Sequence, residues 1–205
     1  MELFDENKYN PIFVGYFPKN KTIKKSDNKE WLNEISKFEI SSVSECIVGG
    51  AENWINLWKH NEFGFYNNIE TIITNFDIIH FNIFGYEIFP FGIEDENLTN
   101  DTKLIENSKK VNQLFNKNDF EFLGYDLVTW SVTDFVECSP LSCNAGYKEF
   151  PVNKYCLINK FNDALIAALS MSKREYEPGI YHIMKVYKLR NNLHTKLRRN
   201  PPRVN

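Results

Sequence analysis

Two cysteines, Cys138 and Cys143, bracket the stretch ECSPLSCN just past the middle of the chain. As half of a zinc knuckle they lack a second close pair, because Cys46 and Cys156 stand alone and a structural zinc site needs four ligands. No metal site is therefore expected. As a nucleophile either thiol needs a base and a lowered pKa, and His60, His80 and His182 are the histidines that could supply one. As a buried turn, Ser139 and Pro140 start a bend, the Ser142 hydroxyl and Asn144 amide satisfy backbone groups, and the thiols pack as small hydrophobes. The turn is the leading reading of the stretch, with Cys138, Cys143 and His60 kept as catalytic candidates.

A second constellation, WKHNEFGFYN, runs from Trp58 to Asn67 and combines an imidazole, amides, a carboxylate and aromatic walls, the mix that small-molecule pockets use. It nominates Trp58 and Asn61 as binding residues and His60 as an acid or base near neutral pH. The competing reading is a helix end, with His60 favoured by the macrodipole and Asn61 and Gly64 terminating the helix. Asp126 sits inside the apolar run GYDLV, where a carboxylate is costly unless paired, so it marks either an exposed edge or a site with a shifted pKa. His182 in the last strand is its natural partner if the two strands neighbour. Asp126, Asn144 and His182 complete the binding candidates. The tail RNNLHTKLRRNPPRVN could touch phosphates, but it lacks interleaved aromatics and follows an acidic body, so a solvated tail is the leading reading and no nucleic-acid contact is expected elsewhere.

These residues must be positioned by the surrounding elements. Strands are expected over Pro11–Phe17, SSVSECIV, Ile78–Phe89, FEFLGYDLVTWSV, VNKYCLI and IYHIMKVYKL, from their β-branched and aromatic runs. Gly124 inside the fourth of these signals a bulge or a close backbone approach. Helical spacing marks EWLNEISKF, AENWINLWKH, NNIETIITNF capped by Asn67 or Asn68, TKLIENSKKVNQLF, and NDALIAALSMSKRE capped by Asn162. The acidic segment GIEDENLTND reads as a connector. No internal repeat, coiled coil or low-complexity region is visible. The irregular alternation, without a glycine-rich phosphate loop, points to an α+β fold: a mixed, largely antiparallel sheet of about five or six strands with helices packed on it. One globular domain is expected over 1–189, with a lobe boundary near 90–101 and a disordered basic tail over 190–205.

With 42% hydrophobic residues in 205, the chain can bury a substantial core, and a net charge of −3 gives no strong overall pull toward nucleic acid or anionic lipid. The acidic N-terminus MELFDENKYN does not read as a signal peptide, no apolar run suits a membrane span, and the thiols are expected reduced, so a cytoplasmic protein is expected. The bias toward Asn, Lys, Ile and Phe follows AT-rich codons. No phosphate loop, nucleophile elbow, HExxH, EF-hand or kinase set occurs, and no cofactor is readable. The leading functional expectation is an interaction protein, immunity-type or inhibitory, that binds another protein through a contiguous exposed apolar and aromatic patch. A small hydrolase or transferase built from the Trp58–Asn67 and Glu137–Asn144 segments is the alternative.

Overall fold

Six antiparallel strands form one sheet in a computed structural model that describes residues 5–20, 34–39, 61, 63–77, 79–109, 115–130, 139–174, 176–191, 193 and 195. The strands are β1 (Ile12–Asn20), β2 (Phe81–Ile88), β3 (Phe91–Glu94), β4 (Asn97–Asn100), β5 (Phe120–Trp130) and β6 (Ile180–Leu189). Among the described residues the α-helices named below are α1 (Ile69–Asn75), α2 (Thr102–Ser108), α3 (Pro140–Cys143) and α4 (Phe161–Lys173). The fold is α+β, as its sequence pattern implies.

The β-branched and aromatic run IYHIMKVYKL makes β6 the central strand, since both of its faces are largely buried. It pairs with β5 along one edge and with β2 and then β3 along the other. Pro90 breaks β2 from β3, while the Phe89 amide still bonds the Ile183 carbonyl at 3.1 Å and keeps the chain on the sheet. The acidic segment GIEDENLTND, expected as a connector, is instead the β3–β4 hairpin. Its two-residue turn places Asp95 and Glu96 at φ 46° and 63°, a left-handed pair normally signalled by Asn-Gly, which is why the sequence conceals it.

Among the described residues two strand–loop–helix–strand units share one geometry, although no repeat is visible in the sequence. Each copy starts with a long strand whose register slips at a bulge ending in glycine, between Phe13 and Gly15 in β1 and between Phe122 and Gly124 in β5. Both glycines have left-handed φ, 131° and 144°, and a side chain at either would meet a carbonyl at 2.8 Å. Each strand then makes one isolated bridge to a loop, Tyr16 to Tyr66 and Tyr125 to Ile158. Each loop opens on an asparagine, Asn61 or Asn153, turns through a left-handed residue, Gly64 or Cys156, and enters a helix, α1 or α4, that leads to β2 or β6.

The strand registers repeat with the loops. Gly15, Phe17 and Lys19 lie opposite Tyr86, Phe84 and Asn82, while Gly124, Asp126 and Val128 lie opposite Val186, Met184 and His182. Tyr86 and Val186, which are counterparts, pair with each other, and Phe84–Lys188 and Ile88–Met184 flank them symmetrically. A local twofold axis therefore passes through the Tyr86–Val186 pair, perpendicular to the sheet, and sets α1 and α4 on the same face. There α1, through its buried Ile72, covers Tyr16, Tyr66 and Ile83, and α4 covers Tyr125, Leu127, Ile158 and Ile183. On the opposite face Phe17, Phe84, Tyr86, Met184 and Val186 form the shared core.

Two local expectations are corrected by the repeat. VNKYCLI is the second asparagine loop rather than a strand, since Cys156 at φ 58° and the Asn153 side chain turn the backbone where a strand would continue. Helix α4 is entered from Lys160 rather than Asn162, because buried Phe161 anchors its first turn in the core. Asn68 caps α1 as expected, accepting from the Thr71 amide at 2.8 Å. Helix α2 ends at Ser108, short of the expected Phe115. Among the described residues no helix is long and apolar enough to cross a membrane.

Candidate functional site

Trp58, His60 and Cys138 lie outside the described residues. The other nominated side chains are placed, and they do not share one open cleft. Asn61 is a strut. Its Nδ2 donates to the Val14 carbonyl at 2.8 Å and to Asn67 Oδ1 at 3.0 Å, and its Oδ1 accepts from the Phe63 and Phe65 amides at 2.9 and 3.2 Å. Asn153 repeats every bond, to the Leu123 carbonyl at 2.8 Å and Asn159 Oδ1 at 2.9 Å, and from the Tyr155 and Leu157 amides at 2.9 and 3.3 Å. Both amides thus use their full donor and acceptor capacity on the fold.

The stretch around Cys143 folds as α3, a single buried turn with Pro140 in its first position. Ser142 Oγ donates to the Ser139 carbonyl at 3.4 Å, and the Asn144 amide donates to the Tyr176 carbonyl. Cys143 is half-buried and packs beside Cys156, whose thiol burial pushes well above the usual range. The Ser139 hydroxyl, freed from capping its own helix, donates to Asp126 Oδ1 at 2.5 Å.

Asp126 is fully buried on β5. Its Oδ1 also accepts from the Leu127 amide at 2.9 Å, and among the described residues Oδ2 has no hydrogen-bond partner. Burial pushes its carboxyl up to about 7, opposed by the Ser139 and Leu127 bonds and by Lys19, and assisted by the neighbouring Cys143. His182 does lie on the adjacent strand and the same face, two pairs along from Asp126, but its Nε2 is 3.0 Å from Asp101 Oδ2 instead. Asp101 uses its other oxygen to cap α2 through the Leu104 amide at 2.9 Å, and its carboxyl is held below the ordinary range, first by the His182 bond. The Asp126–His182 partnership is therefore replaced by two separate pairs, each tying an outlying helix to the sheet. Among the described residues no three His, Cys, Asp or Glu side chains group as a metal site.

A different cluster lies on the face that carries α1 and α4, in the seam where Glu87 of β2 pairs with Lys185 of β6. Lys185 Nζ pairs with the Glu6 carboxylate, whose Oε2 also accepts from the Tyr125 hydroxyl at 2.8 Å. Lys185 stands 5.6 Å from the ring centre of Phe89 and 5.9 Å from those of Phe122 and Tyr125. Beside it buried Glu87 accepts from the Tyr187 hydroxyl at 2.6 Å and pairs with Lys117 at 2.8 Å. Phe122 is 43% exposed at the rim, its ring 5.2 Å from Tyr125 and 5.4 Å from Tyr187. The other exposed large apolar side chains among the described residues, Ile79 and Ile166, lie in a turn and on α4, so these three residues do not form the broad patch that was expected.

Sequence reading passed over Glu6, Glu87, Phe122, Tyr125 and Lys185. The signal was present for two of them. Glu87 in GYEIF and Lys185 in IMKVY are charges inside apolar strands, the same anomaly that singled out Asp126. Glu6 comes from a three-residue helical turn, Glu6–Lys8, that nothing in the sequence ties to the sheet. No protein-family model, curated protein or solved structure matches the chain.

Proposed function

We propose that the protein acts in the cytoplasm as an interaction module, an immunity-type or inhibitory partner that binds another protein. The observation that carries this reading is Phe122, a large ring left 43% exposed at the rim of a seam of paired charges and tyrosines. An aromatic anchor beside buried polar groups is the arrangement that protein interfaces bury at their centres. The nominated polar side chains lend support from the other side, since Asn61, Asn144, Asp126 and His182 are engaged in hydrogen bonds with the protein's own backbone and side chains.

The reading is tested by immobilising wild-type protein and a Phe122→Ser variant and exposing both to cytoplasmic extract. A protein retained by the wild type and lost by the variant is the expected result. Turnover of ester or phosphate-ester substrates that Cys138→Ala, Cys143→Ala or His60→Ala abolishes, with no retained protein, would overturn it in favour of a hydrolase.

A further inference from the structure

The repeat supplies its own comparison for the seam, because each half carries the same recess with different contents. Phe13 and Tyr16 in the first half are the counterparts of Phe122 and Tyr125 in the second, and Gly85 is the counterpart of Lys185. In the first half the recess is filled by Phe115. Its ring stacks on Phe13 at 4.5 Å and 8°, meets Tyr16 edge-on at 6.2 Å, and approaches within 3.0 Å of where a side chain on Gly85 would begin. The first-half recess is thus closed by apolar packing.

The second-half recess holds a cation and its paired carboxylate instead. Lys185, with 17% of its side chain exposed, stands among Phe89, Phe122 and Tyr125, and the only described carboxylate paired with it is that of Glu6, 30% exposed. Glu6 belongs to a helical turn that buries no residue and is further held by Tyr9, whose ring meets Phe91 at 4.9 Å. An ammonium and a phenol hydroxyl on one carboxylate form a charge-assisted pair of hydrogen bonds, and Phe122 offers an apolar wall beside it.

We propose that this second-half recess is the docking point for an acidic segment of a partner protein, whose carboxylate displaces Glu6 from Lys185 and the Tyr125 hydroxyl. The proposal rests on the interaction reading above and adds the chemistry of the partner. Glu6 acts as an intramolecular competitor, present at the high effective concentration of a tethered ligand, so the free chain keeps its own recess occupied.

The test uses the full chain and a fluorescent hexapeptide with the sequence of residues 5–10, DENKYN, as the probe. Anisotropy titrations should show Glu6→Gln protein binding the probe at least about tenfold more tightly than wild type, with affinity falling as salt is raised. Adding Lys185→Met to that variant should return the affinity to the wild-type level or below. Tyr125→Phe, which removes only a hydroxyl, should weaken binding severalfold and serves where Lys185→Met fails to unfold cooperatively. Equal affinity of wild type and Glu6→Gln, or binding indifferent to both Lys185→Met and Tyr125→Phe, would overturn the proposal. A partner protein released by Phe122→Ser but retained by Lys185→Met would also overturn it, while leaving the interaction reading in place.

Discussion

Stability should fall as pH rises from about 4 to 7, and Asp126 should be the cause. The carboxyl is completely buried, with one oxygen engaged by Ser139 and Leu127 and the other without a described partner. Burial outweighs those bonds and the nearby Lys19, so its pKa rises from 3.8 to about 7. In the unfolded chain the same group ionises near 3.8. Between these values the folded state holds a proton that the unfolded state has released, and folding weakens with each pH unit until the native carboxyl ionises as well. At about 1.4 kcal/mol per unit the accumulated loss is on the order of 4 kcal/mol, a large share of a typical domain's stability. Asp101 works in the opposite sense, because its lowered pKa adds stability that is lost only as the pH drops below its ordinary range. Asp126→Asn retains an acceptor for Ser139 and cannot ionise. Urea unfolding of wild type and Asp126→Asn at pH 4.5 and 7.5 isolates the effect as a difference of differences. The variant should gain several kcal/mol on the wild type across that interval, and a gap that stays constant or changes sign would refute the reasoning.

Other expectations follow from packing and backbone geometry. Native-state alkylation followed by mass spectrometry should modify half-buried Cys143 well before Cys156, whose thiol is buried and held protonated; fast labelling of Cys156 in folded protein would contradict its placement. Gly15→Ala and Gly124→Ala should each cost about 2 kcal/mol or more in chemical unfolding, since each puts a side chain at left-handed φ and 2.8 Å from a carbonyl oxygen.

The fold class was legible because β6 and β5 are long, β-branched and aromatic, and α4 has a continuous apolar face, so local pattern and tertiary burial agree. Gly124 also announced its bulge. The hairpin β3–β4 was illegible because Asp95 and Glu96 adopt a turn that their residue types rarely mark. The repeat was illegible for a deeper reason. NEFGFYN and NKYCLIN share only their flanking asparagines, because the unit is defined by which backbone groups are satisfied, and very different side chains fill its core. Among the nominated residues, Asp126 is legible as an anomaly from its apolar surroundings, while its partner is not, since His182 is claimed by Asp101 from 81 residues away and Asp126 is left to Ser139, 13 residues on. The seam was missed because Glu6 meets Lys185 only after the two halves have been brought together.

The equivalence of the two halves is tested most directly by measuring the stability of Asn61→Ala and Asn153→Ala side by side. Each substitution deletes four hydrogen bonds, three of them to backbone groups, at roughly 1 kcal/mol apiece. Two equivalent units predict losses that match within about 1 kcal/mol, each about 2 to 4 kcal/mol, with cooperative unfolding retained. A substantial loss at one asparagine with none at the other would contradict the account of two copies of a single structural unit.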